Sequence, residues 1–346
     1  MNLPGGGRIG AVALLVLLVL QVACAIRPSR DPGCRSKSLA GKTVVEPIVE
    51  GVALSTLCYR VGPGISAGSG GERIGPHHDD KAMKQKVAIA QIRSIGALSI
   101  PFLLAEIGCP SRTSVHGFEA LGALGAPAIP ELTRFIRGDD MIAKSNAIWS
   151  IGFCGTEAAF AVEILLVELS SGNFVAVESL GNLGADAGEA VPDLLKALID
   201  SGSGYEKGRV AVALSRIGLS ASTVVPVLLE ELKAAEIQCR KNEGLFSGGG
   251  FQLRQRLVES LGGFREGATI AVPYLIERLE VYPVTQLSDL YLLKALVRTL
   301  GEIRADSKAA LPVLKRITKD ADLDHGEAYF GIKRGARKAI QLIEGE

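Results

Sequence analysis

The feature that most constrains this chain is a segment that recurs eight times between residues 87 and 343. Each copy can be aligned on one anchor: Arg93, Gly122, Gly152, Gly181, Ser215, Gly262, Gly301 and Gln341. The spacings are 29, 30, 29, 34, 47, 39 and 40 residues. One residue before the anchor every copy has Leu or Ile. Two residues after it stand Ile95, Leu124, Cys154, Leu183, Ile217, Phe264, Ile303 and Ile343, all apolar. Two before it, seven of eight residues are small, from Ala120 and Ser150 to Thr299 and Ala339, with Gln91 the outlier. Further apolar residues lie four and five before the anchor, as in Leu257-Val258 and Leu296-Val297. Apolar residues three and four apart form one stripe of an α-helix. The small column implies that helices of neighbouring copies cross closely there.

A second helix follows each first one. After the anchor helix come Gly96, Gly125, Gly155, Gly184 and Gly218, where a left-handed backbone closes a helix at no steric cost. Copies six and seven have Arg265 and Arg304 instead. Eight or eleven residues past the anchor stands Pro101, Pro130, Pro192, Pro226, Pro273 or Pro312, with Glu163 in that slot in the third copy. Proline suits the first turn of a helix, because its missing N–H has no intrahelical acceptor there. Each copy is therefore helix, turn, helix. Units of this length bury their apolar faces only against their neighbours. The expected fold is all-α, an α-solenoid (superhelix) of about seven to eight helical hairpins over residues 81–346.

The pattern resembles the HEAT-like repeats, particularly the short class named for phycobiliprotein lyases. Phe118-Glu119-Ala120-Leu121-Gly122-Ala123-Leu124-Gly125 resembles the first half of that motif. Leu180-Gly181-Asn182-Leu183-Gly184, followed by Ala190-Val191-Pro192-Asp193-Leu194-Leu195, resembles both halves. The resemblance implies HEAT-like hairpins whose second helices line a concave surface. Four residues after the proline slot that surface would present Arg134, Lys196, Glu230, Glu277 and Arg316, alongside Ala105 and Val167. The signs are mixed, as suits a protein or peptide ligand; a nucleic-acid groove needs many Lys and Arg contacts to phosphate. The chain's net charge of +1 also argues against a nucleic-acid partner. The expected function is a non-enzymatic interaction scaffold. The alternative is an enzyme or enzyme subunit resembling the bilin (phycobiliprotein) lyases, which act in the cytoplasm.

Residues 1–25 read as a targeting segment, with Arg8 as basic region, an unbroken apolar run over 11–20, and Ala23-Cys24-Ala25 as a cleavage site. Three readings stand: cleavage before Ile26, lipidation of Cys24, or an uncleaved anchor that attaches the protein to a membrane. All three place the protein outside the cytoplasm, in the periplasm or cell envelope. Residues 26–80 read as a linker, with residues 44–57 apolar enough for a capping helix. Cys34 and Cys58 are candidates to pair in an oxidising compartment, and Cys154 is expected as a buried thiol.

No catalytic constellation, cofactor or metal site is legible. His77-His78-Asp79-Asp80 reads as a linker end and helix cap. Asp320-Ala-Asp322-Leu-Asp324-His325-Gly326 lacks the Gly and Glu positions of a calcium loop. Ser247-Gly248-Gly249-Gly250, within the insertion at 234–255, lacks the Lys-Ser/Thr ending of a phosphate loop and reads as a mobile surface loop. Trp149 lies three before its anchor, where Glu119, Glu178, Glu259, Arg298 and Lys338 suggest a solvated column. It is a candidate hot spot for a partner.

Overall fold

The protein is described by a computed structural model covering residues 48–49, 52–53, 87–107, 113–154, 161–241, 248–281, 287–319 and 327–345. The chain divides into two compact units, Met1–Ala158 and Ala159–Glu346.

In the first unit the first repeat runs from a helix over residues 87–95 (α1) to α2 (Ile100–Ile107). Val87–Ala105 has the length and mean hydropathy, 1.7, of a membrane-spanning segment. Gly96, at φ 62°, interrupts it and a 3-10 turn follows, so it is two helices of one repeat. The second repeat is α3 (Thr113–Leu124) and α4 (Ile129–Ile136), and α5 (Met141–Ile151) opens the third. Asp140 caps α5, its carboxylate accepting from the Ile142 and Ala143 N–H groups at 2.9 and 3.0 Å. Adjacent repeats are tied where Arg93 Nε donates to the Ala123 carbonyl at 2.8 Å.

In the second unit α6 (Val162–Ser170) precedes α7 (Val175–Leu183) and α8 (Val191–Asp200). Then come α9 (Gly204–Ile217) and α10 (Ala221–Lys241), α11 (Gly248–Gly263) and α12 (Val272–Val281), and α13 (Leu287–Ile303) and α14 (Leu311–Lys319). The unit ends on α15 (Glu327–Glu344). First helices α7, α9, α11, α13 and α15 pack in one row, each against the next. Within the unit this is the expected all-α stack of hairpins. The apolar columns form its core: Leu180, Leu214, Leu261 and Leu300 are all 0% exposed. Cys154, in the first unit, is buried in its column as expected.

The turns follow the repeat. Gly96, Gly125, Gly184 and Gly218 all have positive φ, and so do Arg265 (50°) and Arg304 (64°). The two arginines thus hold the left-handed conformation that glycine holds elsewhere, although a side chain costs about 1–2 kcal/mol there. Pro101, Pro130, Pro192, Pro273 and Pro312 are each the second residue of their helix. Pro226 departs from this. The helix around it begins at Ala221, so this proline lies inside α10.

Three expectations change. Residues 44–57 do not contain one helix throughout: Ile48–Val49 (β1) pairs antiparallel with Val52–Ala53 (β2). Of the insertion at 234–255, residues 234–241 lengthen α10 and Gly248–Gln255 opens α11. No Gly or Pro interrupts 234–241, and Ala235 is buried, so the helix continues past the repeat's usual length. The column of Trp149 is not uniformly solvated: Glu119 is 3% exposed, and Glu178 pairs with Arg209 of the next repeat at 3.1 Å. Cys24 and the rest of the targeting segment, Cys34, Cys58, His77–Asp80 and Asp320–Gly326 lie outside the described residues.

Candidate functional site

The expected surface residues fall into two groups. Arg134 and Trp149 belong to the first unit. Arg134 is exposed on α4; its Nε donates to Glu131 at 2.9 Å and its guanidinium lies 5.3 Å from the Phe135 ring centroid. Trp149 is half-buried on α5 and packs edge-on against Phe153, with centroids 4.4 Å apart. It is neither free in solvent nor part of the core.

Lys196, Glu230, Glu277 and Arg316 belong to the second unit. They sit on the consecutive second helices α8, α10, α12 and α14, and all four are exposed. The repeat explains this. Each second helix buries residues of one stripe, such as Leu228 and Leu232 on α10 or Leu275 and Leu279 on α12. Four residues after the proline slot, the chain points away from that stripe. The helices α8 and α10 touch, as do α12 and α14.

Between α10 and α12 lies a polar cluster that the repeat does not foretell. Glu236, 6% exposed, comes from the lengthened end of α10. Its Oε2 accepts from the Tyr274 hydroxyl at 2.9 Å and from Arg278 Nη1 at 3.1 Å. Arg278 also pairs with Glu277. The Tyr274 ring has the Arg278 guanidinium 5.3 Å and the Lys233 ammonium 5.8 Å from its centroid, and Lys233 pairs with Glu230 at 2.8 Å. The exposed Glu230 and Glu277 are therefore tethered to one buried carboxylate through Lys233, Tyr274 and Arg278.

Burial raises the Tyr274 pKa well above the usual tyrosine range. The hydrogen bond and negative charge of Glu236 push it further the same way, against the opposing Arg278 charge. Tyr274 thus keeps its proton and donates it in a hydrogen bond to Glu236. For Arg278, burial acts to lower the pKa, but the charges and bond of Glu236 and Glu277 outweigh it. The cluster orders side chains and presents charge. Among the described residues no group of three His, Cys, Asp or Glu is placed to hold a metal ion.

Next along the row, α14 buries Val313, Leu314 and Ile317. Pro312, Lys315, Arg316 and Lys319 line an open depression of about 460 Å³ on its outer side.

These elements define a helical-repeat protein with a polar, mixed-charge surface on its second helices. Its repeats are HEAT-like: residues 174–200, which span α7 and α8, match the PBS lyase HEAT-like repeat. No curated protein matches the chain. Among solved structures, it is similar to human deoxyhypusine hydroxylase in complex with glycerol, at 17% identity and a TM-score of 0.29, over 85% of this chain and 96% of that one. The expectation that the chain is not an enzyme is corrected here. The matched repeat is one named for a lyase, so repeats of this kind do not argue against catalysis.

Proposed function

We propose that the chain binds a protein or peptide partner on the second-helix face of its second unit. The observation that carries this reading is the series Lys196, Glu230, Glu277 and Arg316, exposed on four consecutive second helices. Stacked repeats offer extended surfaces of this kind to partners. The mixed signs favour a partner with complementary charges along its length and set its register. The Glu236–Tyr274–Arg278 cluster holds two of these charges in place, which lowers the ordering cost of binding.

The test is affinity capture with the full chain, the Glu230→Lys/Glu277→Lys pair, and Lys294→Glu as a charge control on the exposed side of α13. A partner retained by the wild type and the control, and lost by the pair, is the expected result. The same proteins captured by all three forms would overturn the reading. We also propose that residues 1–25 direct the protein to the cell envelope, on the strength of their basic, apolar and small-residue order. Mass spectrometry should find Ile26 at the N-terminus, a lipidated Cys24, or intact residues 1–25 in a membrane fraction. An intact chain in the soluble cytoplasmic fraction would refute this.

A further inference from the structure

We propose that the outer face of α14 docks an acidic segment of the protein partner, its carboxylates taken up by Arg316 and Lys319. This rests on the reading of the second-helix face as a binding surface, and names the chemistry of the partner at one end of it.

Four residues on one side of α14 line the depression, and three are cations. Lys315 is already engaged, its Nζ donating to Glu344 at 2.8 Å. Arg316 and Lys319 are exposed and have no acidic partner among the described residues. The helix α14 as a whole carries these three cations and no acidic residue, in a chain whose net charge is only +1. A surplus of this kind attracts an anionic partner and speeds its encounter.

Shape and neighbours narrow the class. The site is an open depression, able to seat the side chains of a peptide. Two exposed cations do not make the track of phosphate contacts that a nucleic acid requires. Arg316 has the forked guanidinium that matches a carboxylate, and Pro312 offers an apolar wall beside it. The adjacent α12 presents Glu277, which repels a second carboxylate. An acidic segment is therefore confined to α14, which gives the face a direction: cation-accepting at α10 and α12, anion-accepting at α14.

The experiment is fluorescence anisotropy of the full chain with a labelled Glu-rich peptide, and with the same peptide carrying Gln for Glu. Binding of the Glu peptide alone, weakening as salt is raised, is expected. The Arg316→Glu/Lys319→Glu pair should weaken it about tenfold or more, because attraction becomes repulsion. The Arg334→Glu/Arg337→Glu pair makes the same charge change on α15, outside the depression, and should alter it by no more than about twofold. Circular dichroism checks that both pairs keep their helix content. Equal loss in the two pairs, no binding of the Glu peptide, or stronger binding of phosphatidylserine vesicles or a single-stranded oligonucleotide would each overturn the proposal. If the peptide fails while partner capture still depends on Glu230 and Glu277, only this inference falls. If capture is insensitive as well, the underlying reading falls with it.

Discussion

A methyl group added at Gly181 would lie 2.8 Å from the Cα of Ala213 in the next repeat. The same relationship recurs between Gly301 and Ala339, again at 2.8 Å, and between Gly122 and the backbone of Ser150. The anchor glycine of one repeat thus faces the small column of the next. Both residues must be small because first helices touch backbone to backbone at this crossing. Gly181→Ala should cost about 1–3 kcal/mol, since neither backbone can yield to the extra methyl. Gly331 is also helical, but nothing lies within 4 Å of an added Cβ there. Gly331→Ala should instead stabilise by about 0.5–1 kcal/mol through the lower backbone entropy of the unfolded chain. Denaturant unfolding of the two variants should give opposite signs.

Arg265 and Arg304 test the turn. Both are exposed at positive φ, where their counterparts in other repeats are glycine. Replacing either with Gly relieves about 1 kcal/mol or more of backbone strain and adds back part of that in unfolded-chain entropy. Arg265→Gly/Arg304→Gly should therefore raise the thermal midpoint slightly. Gly184→Arg, with φ 62° at the same position of the fourth repeat, should lower it. A fall in the first variant would show that the arginine side chains hold the turn.

The repeat frame was legible in the sequence because its signals are local. Apolar columns, turn glycines and first-turn prolines each declare themselves within one copy, and the described helices lie where those signals put them, apart from α10, which begins before Pro226. What escaped is what depends on a neighbour or departs from the frame. The column six after the anchor is one example. Ser99, Ala128, Ala187, Ala268 and Ser307 are all 0% exposed, yet small residues in a turn read as solvated. At Ser307 the hydroxyl oxygen lies 2.5 and 2.6 Å from the Leu300 and Arg304 carbonyl oxygens, which share its single proton at the end of α13. The Glu236–Tyr274 pair is another. It joins residues 38 apart, and it exists because α10 outruns the repeat. The exposed charges Lys196, Glu230, Glu277 and Arg316 follow from the frame, whereas the clamp that holds two of them does not.

That clamp should show in alkaline unfolding. The Tyr274 pKa is raised in the folded chain above the usual tyrosine value of about 10. Below about pH 10 the hydroxyl is protonated in both folded and unfolded chains, and its stabilising bond is fully present. Above it, the unfolded chain loses the proton while the folded one retains it, so stability falls as pH rises toward the folded value. Tyr274→Phe should lower stability at neutral pH and shallow the decline above about pH 10. Glu236→Ala should cost about 2–3 kcal/mol at neutral pH, because it leaves Tyr274 and Arg278 without their shared acceptor. Parallel pH profiles for wild type and Tyr274→Phe would remove Tyr274 from the account.

Trp149 offers an optical reading of the first unit. It is the chain's only tryptophan, half-buried and edge-on to Phe153 at 4.4 Å. A fully solvated ring would lose nothing on truncation, and a core ring would cost about 3–5 kcal/mol. The observed packing lies between these, and an aromatic pair of this geometry contributes about 0.5–1.5 kcal/mol. Trp149→Ala and Phe153→Ala should each destabilise by about 1–2 kcal/mol, and the double variant by less than their sum, because both remove the same contact. Iodide should quench the native fluorescence only in part. Full quenching, or additive losses in the double-mutant cycle, would mean that the ring stands clear of Phe153. Trp149→Leu, which retains apolar bulk, should preserve most of the stability while weakening any contact made through the indole.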